Sequence, residues 1–126
     1  HAQFAIAAWP QALIQGVAVE MRLADLLFKH TNMEKLVLNF RGFQEMTDGE
    51  LMYLTNGFPL KLSQLSLDCA RCEQLTNVGI GRLASRLRKD LKVLSLRFAQ
   101  CHLMSDVAVK AVSCGLPDSL ERLTLS

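Results

Sequence analysis

This 126-residue chain has no apolar run approaching the ~20 residues needed to cross a bilayer. The longest candidate, Phe4 to Trp9, stops at Pro10, so no transmembrane helix is expected. It has no strong excess of either charge, and a formal net charge of +2 is too small to point to nucleic acid or to an acidic membrane. It lacks a phosphate-cradling glycine loop, because Gly79 and Gly81 fall inside a helical apolar stripe. His1, His30 and His102 stand apart in sequence from any serine or aspartate arrangement of nucleophilic type. With no catalytic set in view, and no cofactor implied, the chain reads as a non-enzyme. It opens on His1 without a basic leader region, which leaves two readings: a removed leader, or a start inside a longer chain.

What is present is a period. Met33, Leu62, Leu91 and Leu120 fall 29 residues apart, as do Leu36, Leu65, Leu94 and Leu123, and again Leu38, Leu67, Leu96 and Leu125. Repetition on this scale means a solenoid of stacked units, each covering the apolar face of its neighbour. A hydrophobic content of 50% fits such a stack, whose inner columns are all apolar.

One unit carries its own local signals. Leu94, Leu96 and Phe98 alternate with Ser95 and Arg97, the period-two pattern of a strand with one buried face. Thr47-Asp48, Thr76-Asn77 and Ser105-Asp106 then supply side-chain oxygens for the free N–H groups of a helix start, with Glu50 completing a capping box in the first unit. From there the spacing changes to three and four: Leu51, Leu54, Phe58; Ile80, Leu83, Leu87; Val109, Val112, Leu116. Gly57 and Gly115 are placed to end two helices in the left-handed conformation, with Pro59 and Pro117 blocking continuation, while Arg88-Lys89-Asp90 marks the middle ending less well. Strands stack about 4.8 Å apart and helices need roughly 8 to 10 Å, so the expected α/β solenoid curves, with parallel strands on the concave side and helices on the convex side.

The units MEKLVLNFRGFQEMTDGELMYL, LSQLSLDCARCEQLTNVGIGRL and LKVLSLRFAQCHLMSDVAVKAV, with LERLTLS opening a fourth, resemble leucine-rich repeats. The resemblance covers Met33 to Ser126, divided 33–61, 62–90, 91–119 and a partial 120–126. It is nearest the ribonuclease-inhibitor-like and cysteine-containing types, whose convex side is helical. It departs from them in a longer strand register, with Phe40, Cys69 and Phe98 between the leucines and the Phe43, Cys72, Cys101 column.

Residues 1–32 do not fit the columns. After Pro10, Ile14, Val17, Met21, Ala24 and Phe28 form an apolar stripe, read as an N-terminal capping helix over the first repeat. The alternative, a helix for a partner or membrane surface, is disfavoured by the mixed charge of Glu20, Arg22, Asp25 and Lys29. At the other end the sequence stops after the strand of a fourth unit, at Leu123-Thr124-Leu125-Ser126, so either the natural chain continues or something docks there.

Cys69-Ala-Arg-Cys72 has the spacing of zinc and thiol redox sites, with Cys101 and His102 in the next unit. Yet these cysteines share columns with phenylalanines, and Cys114 lies far along the third helix. Buried packing in a reducing intracellular compartment is therefore expected, and no metal. Arg82, Arg86, Arg88, Lys89 and Lys92 cluster without interleaved aromatics and read as a solvated convex face.

The strand residues between the leucines point away from the core: Lys35, Val37, Asn39 and Arg41; Gln64, Ser66 and Asp68; Val93, Ser95 and Arg97; Arg122 and Thr124. Small polar groups with alternating charge on a rigid sheet suit recognition of a protein surface, although no aromatic anchor stands among them. The expected function is a protein interaction module using these concave strands and adjacent loops. Its rival is a structural subunit of a larger, for example organellar, assembly, held through the N-terminal segment and the open last unit. A ubiquitin-ligase substrate-recognition role rests on family analogy alone and lacks an F-box-like segment in residues 1–32.

Overall fold

The computed structural model describes the backbone of residues 3–6 and residues 34–58, 61–87 and 89–126 in full. The stripe from Ile14 to Phe28, Met33, Pro59 and Arg88 lie outside the described residues, so the capping helix is not among the elements below. Strand β1 (Gln3–Ile6) is followed by β2 (Lys35–Asn39), α1 (Asp48–Asn56), β3 (Gln64–Asp68), α2 (Asn77–Ser85), β4 (Val93–Arg97), α3 (Asp106–Gly115) and β5 (Arg122–Leu125). The chain is α/β, with one parallel sheet of five strands in the order β1-β2-β3-β4-β5. Strand β1 falls in the segment to which the periodicity assigned no strand.

From β2 onward the sheet follows the 29-residue spacing without slippage. Leu36 pairs with Leu65, Leu65 with Leu94 and Leu94 with Leu123, and the leucines two residues later do the same. Because side chains alternate across a strand, one face carries only these leucines and the other only the residues between them. Leu36, Leu38, Leu65, Leu67, Leu94 and Leu96 are buried and form one core with Leu51, Leu54, Ile80, Leu83, Ala108 and Val112 of the helices. Each fully buried leucine contributes about 2 kcal/mol of transfer free energy, so the columns carry the stack.

The helix starts fall where the side chains direct them. Thr47 Oγ1 accepts the N–H of Glu50 at 3.3 Å, Thr76 Oγ1 that of Val78 at 3.2 Å, and Ser105 Oγ that of Val107 at 3.3 Å. The endings differ from expectation. Gly57 has φ −91°, and α1 closes by a tight turn in which its N–H donates to Leu54 O at 3.0 Å, so no left-handed residue is needed. Gly115 is the last residue of α3 and is not left-handed either. It serves close approach instead, since a Cβ there would lie 3.0 Å from the Ala84 carbonyl oxygen of α2.

In α3 the buried face is Ala108 and Val112, while Val109 is 53% exposed and Leu116 half-buried. Its column mates Leu51 and Ile80 are each covered by the following helix, and no described helix lies over α3. The left-handed positions lie elsewhere, in the loop after each strand: Gly42 at φ 75°, Arg71 at 61° and Gln100 at 60°. They stand one repeat apart, and Gly42 N–H donates to Ala70 O and Arg71 N–H to Ala99 O, both at 2.8 Å.

Candidate functional site

The residues singled out between the leucines occupy one face of the sheet in three rows. Lys35, Gln64, Val93 and Arg122 form the first, Val37, Ser66, Ser95 and Thr124 the second, and Asn39, Asp68 and Arg97 the third. Lys35, Val37, Asn39, Ser66, Asp68, Val93 and Ser95 are half-buried, and Arg41, Gln64, Arg97, Arg122 and Thr124 are exposed. The register thus gathers all of them on one surface, except Arg41, which lies just past β2 and reaches across so that its Nη1 is 3.7 Å from Asp68 Oδ2.

Two of these side chains also have a local task. Asn39 Oδ1 accepts the N–H of Arg41 and Asp68 Oδ1 that of Ala70, each at 3.0 Å, closing the turn that leaves the strand. Arg97 holds the same place in β4 and has no oxygen to accept such a bond, so its guanidinium is available to solvent. The loop column extends the surface, with Arg71 Nε donating to Gln100 Oε1 at 2.7 Å. A left-handed backbone at Arg71 and Gln100 carries no signature in residue type, which is why the sequence did not reveal this pair. Only Gly42 in the column gave a hint.

Lys35, Arg41, Arg97 and Arg122 set four cations against one carboxylate, Asp68, on the strand face. Screening shortens the reach of such charges to about 8 Å at physiological salt, so what they attract must come into near contact. The helix side is different. Arg82, Arg86, Lys89 and Lys92 are exposed, and Arg86 spends part of its hydrogen-bonding capacity on Asn56 Oδ1 at 3.4 Å.

The cysteines pack as the columns predict, with one correction. Cys69, Cys72 and Cys101 are free and buried, whereas Cys114 is free and exposed, because it lies on the outer side of α3. Cys72 Sγ donates to Phe40 O and Cys101 Sγ to Cys69 O, both at 3.1 Å. The hydrogen bond with Cys72, together with burial, holds the Cys69 thiol well above the ordinary cysteine range, and Cys72 is lowered by accepting that bond. A buried neutral thiol is a poor nucleophile and metal ligand. Among the described residues, no group of three or more His, Cys, Asp or Glu side chains is placed to hold a metal ion, and no helix is long and apolar enough to cross a membrane.

The chain matches no protein-family model and no curated protein.

Proposed function

We propose that this chain is a leucine-rich-repeat solenoid acting as a non-enzymatic protein interaction module, with a segment rich in Asp or Glu as the partner of its strand face. The register of β2 to β5 supports the solenoid reading, because consecutive strands with a helix between each pair, packed on one face, are what a 29-residue repeat would build. The single observation that carries the binding reading is the outward face itself. Small side chains, Ser66, Ser95 and Thr124, run through its middle row, leaving room for a backbone to approach. Lys35, Arg41, Arg97 and Arg122 stand around them, and Asp68 is the one carboxylate among the described outward-facing strand residues. Guanidinium groups suit this role because each can bind a carboxylate through two parallel N–H bonds.

Selection from a random peptide display library tests the reading. Recovered sequences should be enriched in acidic residues, and paired Arg97→Glu and Arg122→Glu should abolish their recovery while paired Arg82→Glu and Lys110→Glu on the helices should not. Apolar consensus sequences, or binding indifferent to the strand-face pair, would reject it.

A second reading, a structural subunit of a larger assembly, is favoured by large apolar side chains exposed along the helices, Tyr53 of α1 at 41% and Val78 of α2 at 55%. It predicts that the isolated chain aggregates on mild heating, whereas a monomeric, cooperative melt would count against it.

A further inference from the structure

Three turns of one kind lead out of β2, β3 and β4. Phe43 N–H donates to Phe40 O at 2.9 Å, and Cys72 N–H to Cys69 O and Cys101 N–H to Phe98 O, both at 3.2 Å. The third residue of each turn, Gly42, Arg71 or Gln100, is left-handed. Such a turn holds its first and fourth Cα atoms within about 7 Å. In the first unit the side chains at these two positions touch, the Phe40 and Phe43 rings stacking with centroids 6.0 Å apart. In the second unit the same two positions are Cys69 and Cys72, both 0% exposed, and the two thiols share a hydrogen bond.

Of the three turns, this one alone has sulfur at both ends, since the third pairs Phe98 with Cys101. Its span falls in the range that a disulfide needs, about 4.4 to 6.8 Å between Cα atoms. Closing the bond would therefore leave the strands where they are. Cys101 is engaged elsewhere, its Sγ donating to Cys69 O at 3.1 Å.

We infer that Cys69 and Cys72 are a reversible dithiol–disulfide pair, closed by hydrogen peroxide, whose closure releases a tie between the first two units. Peroxide is little larger than water, which suits two sulfurs buried in the core. Cys72 reacts first, because the bond donated by Cys69 lowers its pKa while Cys69 keeps its own proton. The Cys72 thiolate attacks one peroxide oxygen, the O–O bond breaks, and the departing hydroxide takes up the thiol's proton as water. The sulfur of Cys69 then attacks the sulfenic acid so formed. The S–S bond forms, the S–O bond breaks, and the hydroxyl leaves with the Cys69 proton as a second water. Neither sulfur of the disulfide carries a hydrogen, so the bond from Cys72 Sγ to Phe40 O is lost. Phe40 O keeps the N–H of Phe43, which makes the change a loosening that the fold survives. All of this rests on the turn and is independent of what the strand face binds.

The test uses native Cys114→Ser protein, from which the exposed thiol has been removed. After hydrogen peroxide and an acid quench, the remaining thiols are alkylated in denaturant and the peptides mapped by mass spectrometry. A Cys69–Cys72 disulfide should form, with Cys101 alkylated, and dithiothreitol should reverse it. With Cys69→Ala added, a dimedone probe should trap a sulfenic acid at Cys72, whereas with Cys72→Ala added, Cys69 should stay unmodified. Oxidation should speed hydrogen exchange of the Gly42 amide, which bonds to Ala70 O in the next unit, by about fivefold, and leave the Arg71 amide, bonded to Ala99 O, unchanged. A disulfide to Cys101, over-oxidation of Cys72 with no disulfide, or reaction only in urea that unfolds the chain would overturn the pair. Unchanged exchange at Gly42 in the oxidised protein would overturn the release.

Discussion

Cys72 and Phe40, 32 residues apart, are joined by a thiol hydrogen bond of 3.1 Å from Sγ to the backbone carbonyl oxygen, which also accepts the N–H of Phe43 at 2.9 Å. The cysteine is thus a linker between units as well as a filler of the column it shares with Phe43. Because the carbonyl keeps its backbone donor, losing the thiol leaves no orphaned acceptor. Cys72→Ala should therefore cost only about 1 to 2 kcal/mol in urea unfolding, from the lost sulfur and two weak bonds, the one to Phe40 and the one with Cys69. A cost above 4 kcal/mol would mean that the sulfur holds something more than this contact.

The pH dependence follows from Cys69. Its pKa is raised by the bond with Cys72 and by burial, so the native state keeps a proton that the unfolded chain gives up at about pH 8.5. Stability from this thiol is full below that pH and is lost as pH rises toward the folded value, because the native state then binds more protons than the unfolded one. The lowered Cys72 acts in the opposite sense, and the raised Cys101 in the same sense as Cys69. Unfolding midpoints measured from pH 7 to 10 should fall, and Cys69→Ala should flatten the fall.

The two faces of β4 should respond oppositely to the same charge. Leu94 is 1% exposed and Ser95, its neighbour, is half-buried on the outer face between Ser66 and Thr124. Leu94→Asp buries an unpaired carboxylate beside lost apolar contacts and should cost more than 4 kcal/mol, enough to unfold the chain. Ser95→Asp should stay within about 1 kcal/mol. Circular dichroism of both variants reads the difference, and equal effects would refute the register.

Two glycines should fail for different reasons when replaced by alanine. At Gly42 a Cβ would meet nothing within 4 Å, so Gly42→Ala should cost only the conformational penalty of φ 75°, about 1 kcal/mol. At Gly79 helix propensity alone would favour alanine, yet the new Cβ would displace the Asp48 carboxylate from Thr76. Gly79→Ala should therefore destabilise, and much less so in an Asp48→Ala background. A double-mutant cycle measures that coupling.

The parallel strands, the leucine columns and the three hydroxyl caps were legible in the sequence because each depends on residue type at fixed spacing. Helix endings were not. A glycine advertises freedom without saying how it is used, and Gly57 ended a helix without a left-handed turn while Gly115 made room for α2. Val109 looked like a core position because spacing reports which side of a helix is apolar, and not whether anything covers it. The alternation placed the strand-face candidates on one side of the sheet, apart from Arg41, which lies past β2. It did not show that Asn39 and Asp68 close turns, which depends on where their oxygens meet a backbone N–H. The Asp48 to Thr76 bond was also out of view, since it joins positions 28 residues apart.

Among the described residues, the bonds between units span 28 to 34 residues, and element packing is between successive neighbours. Folding such a chain closes many loops of one similar, modest length and none across its whole extent, so order should spread outward from whichever pair forms first. The same lesion then has unequal weight by position. Truncating Leu65, which has a neighbour in register on both sides, interrupts this spread in both directions, whereas truncating Leu123, with one such neighbour among the described residues, interrupts it in one. Cooperativity in this fold is a property of the middle.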